Sequence, residues 1–160
     1  MFLVLLACIP LDVDFAKSLT EVNGCADIKI YANNAESTVA LFFESEGLVT
    51  AACAGENTHA WDLPEASVSL YVQQGSRLTS QSCTDVYVSG EEPVVGRTWT
   101  ATSGRAGLDL VPGGDPDTCP EAHAEATLNL TGITFTADDS GEEVTVDAFT
   151  METSVGWLPG

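Results

Sequence analysis

Ala124-Glu125-Ala126-Thr127-Leu128-Asn129-Leu130-Thr131-Gly132-Ile133-Thr134-Phe135-Thr136-Ala137 carries two apolar sets of opposite parity. Ala126, Leu128 and Leu130 fall on even positions, Ile133 and Phe135 on odd ones. Alternation with period two marks a strand with one buried face. Because successive side chains point to opposite faces, the buried set changes parity only where the backbone bends or carries an extra residue. The stretch reads as one long strand with a bulge or bend at Thr131-Gly132.

The same period extends outward in both directions. After the turn Asp138-Asp139-Ser140-Gly141, Val144, Val146 and Ala148 alternate with Thr145, Asp147 and Phe149, which predicts a hairpin partner that Met151 to Trp157 continue. Upstream, Val94 to Thr102 carries Trp99 between threonines, and Ala106, Leu108 and Leu110 form another inward set. Ser103-Gly104 between them predicts a tight hairpin. Val68, Leu70 and Val72 make a strand with Tyr71 outward, as do Ile28, Ile30 and Ala32. In Val39 to Phe43 both Phe42 and Phe43 are apolar, so a strand covered on both faces is expected. Leu48 to Cys53 and Cys83 to Val88 are further strand candidates, and Val111 to Glu121, rich in Pro and Gly, is the longest loop. About eight or nine short strands separated by turn signals predict an all-β fold, an antiparallel β-sandwich, with a small closed β-barrel as the alternative.

Twenty-four Asp+Glu against five Lys+Arg give a formal charge of −19, a field that repels nucleic acid. No nucleic-acid role is expected. Five cysteines, at positions 8, 25, 53, 83 and 119, are an odd number, which calls for a special role for one of them. With no Cys-x-x-Cys and only two histidines, disulfides are expected rather than zinc. Among Cys25, Cys53, Cys83 and Cys119 three pairings are possible. The preference for long closed loops favours Cys25–Cys83 with Cys53–Cys119.

Met1 to Ala7 is an uncharged apolar run that stops at a cysteine preceded by a small residue. Leu5-Leu6-Ala7-Cys8 resembles the lipobox of bacterial lipoproteins. The resemblance implies that residues 1–7 are a truncated signal peptide, that Cys8 is acylated, palmitate included, and becomes the mature N-terminus, and that Ile9 directs the protein to the outer membrane. The chain would then be lipid-anchored in the bilayer through Cys8 and face the periplasm or the cell surface; a secreted form is the alternative. Residues 8–24 show no sustained period and read as a tether with a short helical turn near Phe15 to Val22, followed by a single β-domain over 25–160. Beyond the lipobox, that domain resembles uncharacterised domains of exported bacterial proteins, which implies no site residues.

No catalytic set accompanies the chain's histidines. His59 and Asp62 flank Trp61, and His123 lies between Glu121 and Glu125, but no nucleophile elbow or activated cysteine is present. Asp138 and Asp139 in the hairpin turn, with Asp115 and Asp117 in the long loop, are the calcium candidates, although neither stretch matches a calcium-loop pattern. Tyr71 and Trp99, both expected on outward positions, are the candidate binding face. The expected function is a membrane-anchored, non-enzymatic binding or structural module for a protein or glycan partner. A calcium-stabilised adhesion or carbohydrate-binding module is the alternative, and a hydrolase is third.

Overall fold

A computed structural model describes residues 10–84, 86–113 and 123–156. In chain order the elements are α1 (Phe15–Ser18), β1 (Glu21–Cys25), β2 (Lys29–Asn33), β3 (Val39–Ser45), α2 (Leu48–Cys53), β4 (Thr58–Leu63), β5 (Val68–Ser76), β6 (Val94–Pro112), β7 (His123–Ala137) and β8 (Glu143–Gly156). The fold is all-β, as the periodicity predicts. Its strands form one antiparallel sheet in the order β1-β2-β3-β5-β6-β7-β8, with β4 attached to β6.

One sheet therefore holds every strand, and it curls into a half-barrel. Its first and last strands meet at the bridge between Ala26 and Gly156, where the Gly156 N–H donates to the Ala26 carbonyl at 2.9 Å. The approach is close enough to require glycine at position 24, because a Cβ there would stand 2.7 Å from the Ser154 carbonyl oxygen. Among the described residues that bridge is the one pairing between the two ends of the sheet.

A crease shared by three strands produces the curl. β6 buries Arg97, Trp99 and Ala101 and then Ala106, Leu108 and Leu110; β7 buries Ala126, Leu128 and Leu130 and then Ile133 and Phe135; β8 buries Val144 and Val146 and then Met151 and Val155. All three change parity near the row Arg105–Thr131–Ala148. The expected bend at Thr131-Gly132 is thus present, but Ser103-Gly104 is no hairpin. It is the β6 part of the same crease, held extended because β7 pairs with β6 on both sides of it, from Trp99 to Pro112. Gly104 has φ 112° and Gly132 φ 58°, values that L side chains avoid. A Cβ on Gly104 would also lie 2.6 Å from the Gly132 carbonyl oxygen. Gly104→Ala is expected to lower the unfolding free energy by about 2–3 kcal/mol in urea titration. A loss under about 0.5 kcal/mol, the scale of neutral surface changes, would mean that the crease tolerates a side chain.

The N-terminal stretch is not a free tether. Leu11, Phe15 and Leu19, spaced by four, are buried in the main core, Phe15 meets Phe135 edge-to-face at 6.0 Å, and Glu21–Cys25 is a strand. Leu48–Cys53 is helical, not extended. The Asp27 carboxylate accepts from the N–H groups of Gly47 and Val49, at 3.1 and 2.7 Å, and so satisfies donors at the helix start. No strand forms at Cys83 to Val88 among the described residues, whereas Thr58–Leu63, where no alternation was read, is β4.

Candidate functional site

Alternation on β5 turns Val68, Leu70 and Val72 inward and Ser69, Tyr71 and Gln73 outward. The register seats Tyr71 between Phe42 on β3 and Thr100 on β6. Phe42 stacks against one side of the Tyr71 ring, with centroids 5.1 Å apart and planes 19° off parallel, and Tyr31 lies 6.0 Å beyond Phe42. The Tyr71 hydroxyl donates to Glu44 Oε1 at 3.0 Å. Glu44 also pairs with Lys29 at 3.1 Å, and the Lys29 ammonium sits 5.5 Å from the Phe42 ring centre. Burial first, then the Glu44 charge and the hydrogen bond to it, push the Tyr71 phenol well above the ordinary tyrosine range. The ring is neutral, oriented and held.

On the β6 side of Tyr71 the sheet forks. β6 pairs with β5 as far as Thr100 and with β4 from Gly104 onward, so Ala101, Thr102 and Ser103 have no ladder partner on this side. A cleft of about 380 Å³ occupies the fork, lined by Leu63, Pro64 and Glu65 at the end of β4 and by Ser69, Tyr71, Gln73, Thr98 and Thr100 among others. Thr100 donates its hydroxyl to Asp138. Among the described residues, Ser69, Gln73 and Thr98 make no side-chain hydrogen bond to the rest of the chain. A second and more open hollow of about 730 Å³ lies on the other side of the β4–β5 turn, lined by Asp27, Lys29, Glu44, Glu46 and Ser67 among others. Of its charged groups, Asp27 is engaged with α2 and Lys29 with Glu44.

No protein-family model, curated protein or solved structure matches the chain.

Tyr71 and Trp99 do not share a face. Trp99 is fully buried opposite Val72, with its indole N–H donating to Gln74 Oε1 at 3.0 Å. A ring of that size gains most from burial when its one polar group has a partner inside. The flanking threonines, Thr98 and Thr100, take the outward positions and belong to the cleft. They, with Gln73, are the site residues that the sequence reading missed; placing Trp99 inward would have found both threonines.

Asp138 and Asp139 are already occupied. Arg97 lies over the Trp99 ring, 4.4 Å from its centre, and its Nε donates to both Asp139 oxygens at 2.9 and 3.2 Å. Its Nη2 donates to Ser140, and its Nη1 lies 3.0 Å from Glu142 but off the hydrogen-bonding direction. Burial opposes the guanidinium charge, yet the Asp139 hydrogen bonds and the negative charges of Asp139 and Glu142 outweigh it and raise the pKa. No group of three or more potential metal ligands occurs among the described residues. The Arg97 hydrogen bonds hold Asp139 below its ordinary value of 3.8. A depressed carboxylate stabilises the fold above its unfolded pKa and stops doing so as pH falls through its folded pKa. The melting-temperature gap between wild type and Asp139→Asn is therefore expected to be largest at neutral pH and to close in acid. A gap unchanged down to pH about 2 would remove the ion pair as its cause.

His59 stacks on Trp61, 5.8 Å apart and 11° off parallel, and its Nε2 meets the Glu56 carbonyl. Asp62 lies exposed opposite Arg105, and His123 covers Gly113; among the described residues neither histidine is joined to a nucleophile. Cys25 and Cys83 form a disulfide, the pairing expected. Cys53 is disulfide-bonded too; its expected partner Cys119 lies outside the described residues, as do Cys8, Ile9, Asp115, Asp117, Glu121 and Trp157.

Proposed function

We propose that the protein is a non-enzymatic lipoprotein, held at the outer membrane through acylated Cys8, whose β-domain serves as a binding module. The observation that carries this reading is the cysteine accounting. Cys25, Cys53 and Cys83 are all disulfide-bonded, as befits an exported chain, and a second bridge through Cys119 would leave Cys8 as the odd thiol, next to the lipobox. No helix among the described residues is long and apolar enough to cross a membrane, so attachment falls to lipid in this reading. Leu11 is packed into the core, and three residues reach at most about 10 Å, so a lipid on Cys8 would hold the domain close against the bilayer. The reading also takes the two arms of the creased sheet, packed over one core, as the layers of a β-sandwich that present the outer cleft at fixed geometry.

The test is the non-reduced intact mass of the full-length product from bacterial membranes beside Cys8→Ala. The expected mass is the chain from Cys8 plus acyl groups minus four hydrogens, with the variant unacylated and soluble. A wild type that is itself unacylated and soluble would replace this reading with a secreted binding protein.

A further inference from the structure

We infer that the cleft at the sheet fork is a carbohydrate subsite that takes a neutral pyranose on the free side of the Tyr71 ring. The inference rests on the binding-module reading and names the ligand class of its cleft. Phe42 covers Tyr71 from the β3 side, and the cleft lies on the β6 side, so one ring side remains for a ligand. The hydroxyl bond to Glu44 keeps the ring in place, and a platform fixed beforehand loses little freedom on binding. The negative π-face of such a ring suits the weakly positive C–H side of a pyranose.

The polar lining matches the rest of a sugar. Ser69, Gln73 and Thr98 offer uncharged side-chain donors and acceptors that hydrogen-bond to none of the described residues, and the β6 backbone at Ala101 to Ser103 lacks a ladder partner on this side among them. Hydroxyl, amide and peptide groups pair with sugar hydroxyls without the desolvation cost of a buried charge. Among the described residues no Lys or Arg lines the cleft and Glu65 is its one charged residue, so phosphate or carboxylate ligands find no counter-ion there and meet the field of a chain carrying −19. An added peptide strand fits worse, because the unpaired β6 stretch is only residues 101–103, shorter than an ordinary strand of about five or six. A volume of about 380 Å³ lies in the range of small-ligand clefts.

The experiment is an amide NMR titration of the full chain carrying Cys8→Ala with maltose, cellobiose, lactose and chitobiose, and with glucuronate as the anionic control. At least one disaccharide is expected to shift the amides of Ser69, Tyr71, Gln73, Thr98 and Thr100, and glucuronate to leave them in place. Tyr71→Phe, which keeps the ring but releases it from Glu44, should bind more weakly than the parent, Tyr71→Leu should lose binding, and Gln73→Ala, which breaks no internal hydrogen bond, should weaken it about fivefold. The inference is overturned if no disaccharide moves those amides, if Gln73→Ala binds as tightly as the parent, or if the shifts survive in a folded Tyr71→Leu. Acylated Cys8 with a silent cleft would overturn the sugar assignment alone. Sugar binding by a chain that is never acylated would overturn the anchor alone.

Discussion

Trp99→Ala is expected to lower the unfolding free energy by about 4 kcal/mol, within the range for deleting a large buried aromatic. The ring is fully buried, so its loss leaves a cavity that β6, paired on both edges, cannot collapse to fill. Two polar consequences add to the cavity. The Gln74 oxygen loses the indole donor, and Arg97 loses the surface over which its guanidinium lies, a contact worth about 0.5–2 kcal/mol in general. Trp99→Phe keeps a ring in place and is expected to cost less than half as much. Urea titration of both variants decides the matter. A loss below about 1 kcal/mol for Trp99→Ala, typical of an exposed residue, would return Trp99 to the outer face.

Removal of the Cys25–Cys83 bridge by paired alanines is expected to cost a similar amount. The bond links β1 to the segment after β5 across a sequence separation of 58. The chain-entropy relation gives about 4 kcal/mol for a loop of that size. Cys83 follows Leu78, whose side chain is buried in the small outer cluster with Tyr31, Ala40 and Phe42. Freeing the segment is therefore expected to expose that cluster as well. Paired alanines are preferred to a reductant because reduction would also open the bond at Cys53. Thermal melting measures the loss, and hydrogen exchange at Tyr31 and Phe42 reads the exposure. A melting temperature unchanged from wild type would show that the bridge closes a loop already ordered by its other contacts.

The outer cluster and the cleft differ in how far the sequence exposes them. Tyr71 was legible, since strict alternation over Val68 to Val72 leaves one direction for it. Gln73 follows from the same alternation but carries no local mark of function. Thr98 and Thr100 were hidden because a tryptophan between two threonines can be read in either register: polar flanks suggest an outward strand, and a large ring suggests an inward one. The Gln74 acceptor, reached across strands from β5, settles it, and the Arg97 guanidinium covers the ring from two residues away on β6. Asp138 and Asp139 looked like open cation ligands for a related reason. Their partners, Thr100 and Arg97, lie about forty positions earlier in the chain.

The sequence by itself determined the strands with clean alternation, the all-β class and the bend at Thr131-Gly132, because period is a local property of the chain; of the three possible cysteine pairings it only favoured the one that holds Cys25–Cys83. Tertiary structure alone decided that the parity changes of β6, β7 and β8 align into one crease, that β6 divides its edge between β4 and β5, and that Leu48–Cys53 is a helix. In each case the deciding group is distant: β7 holds β6 extended through Ser103-Gly104, and Asp27 caps α2 from twenty residues away. Short apolar runs are close to balanced between helix, strand and turn. A single long-range hydrogen bond or one neighbouring strand is enough to choose among them.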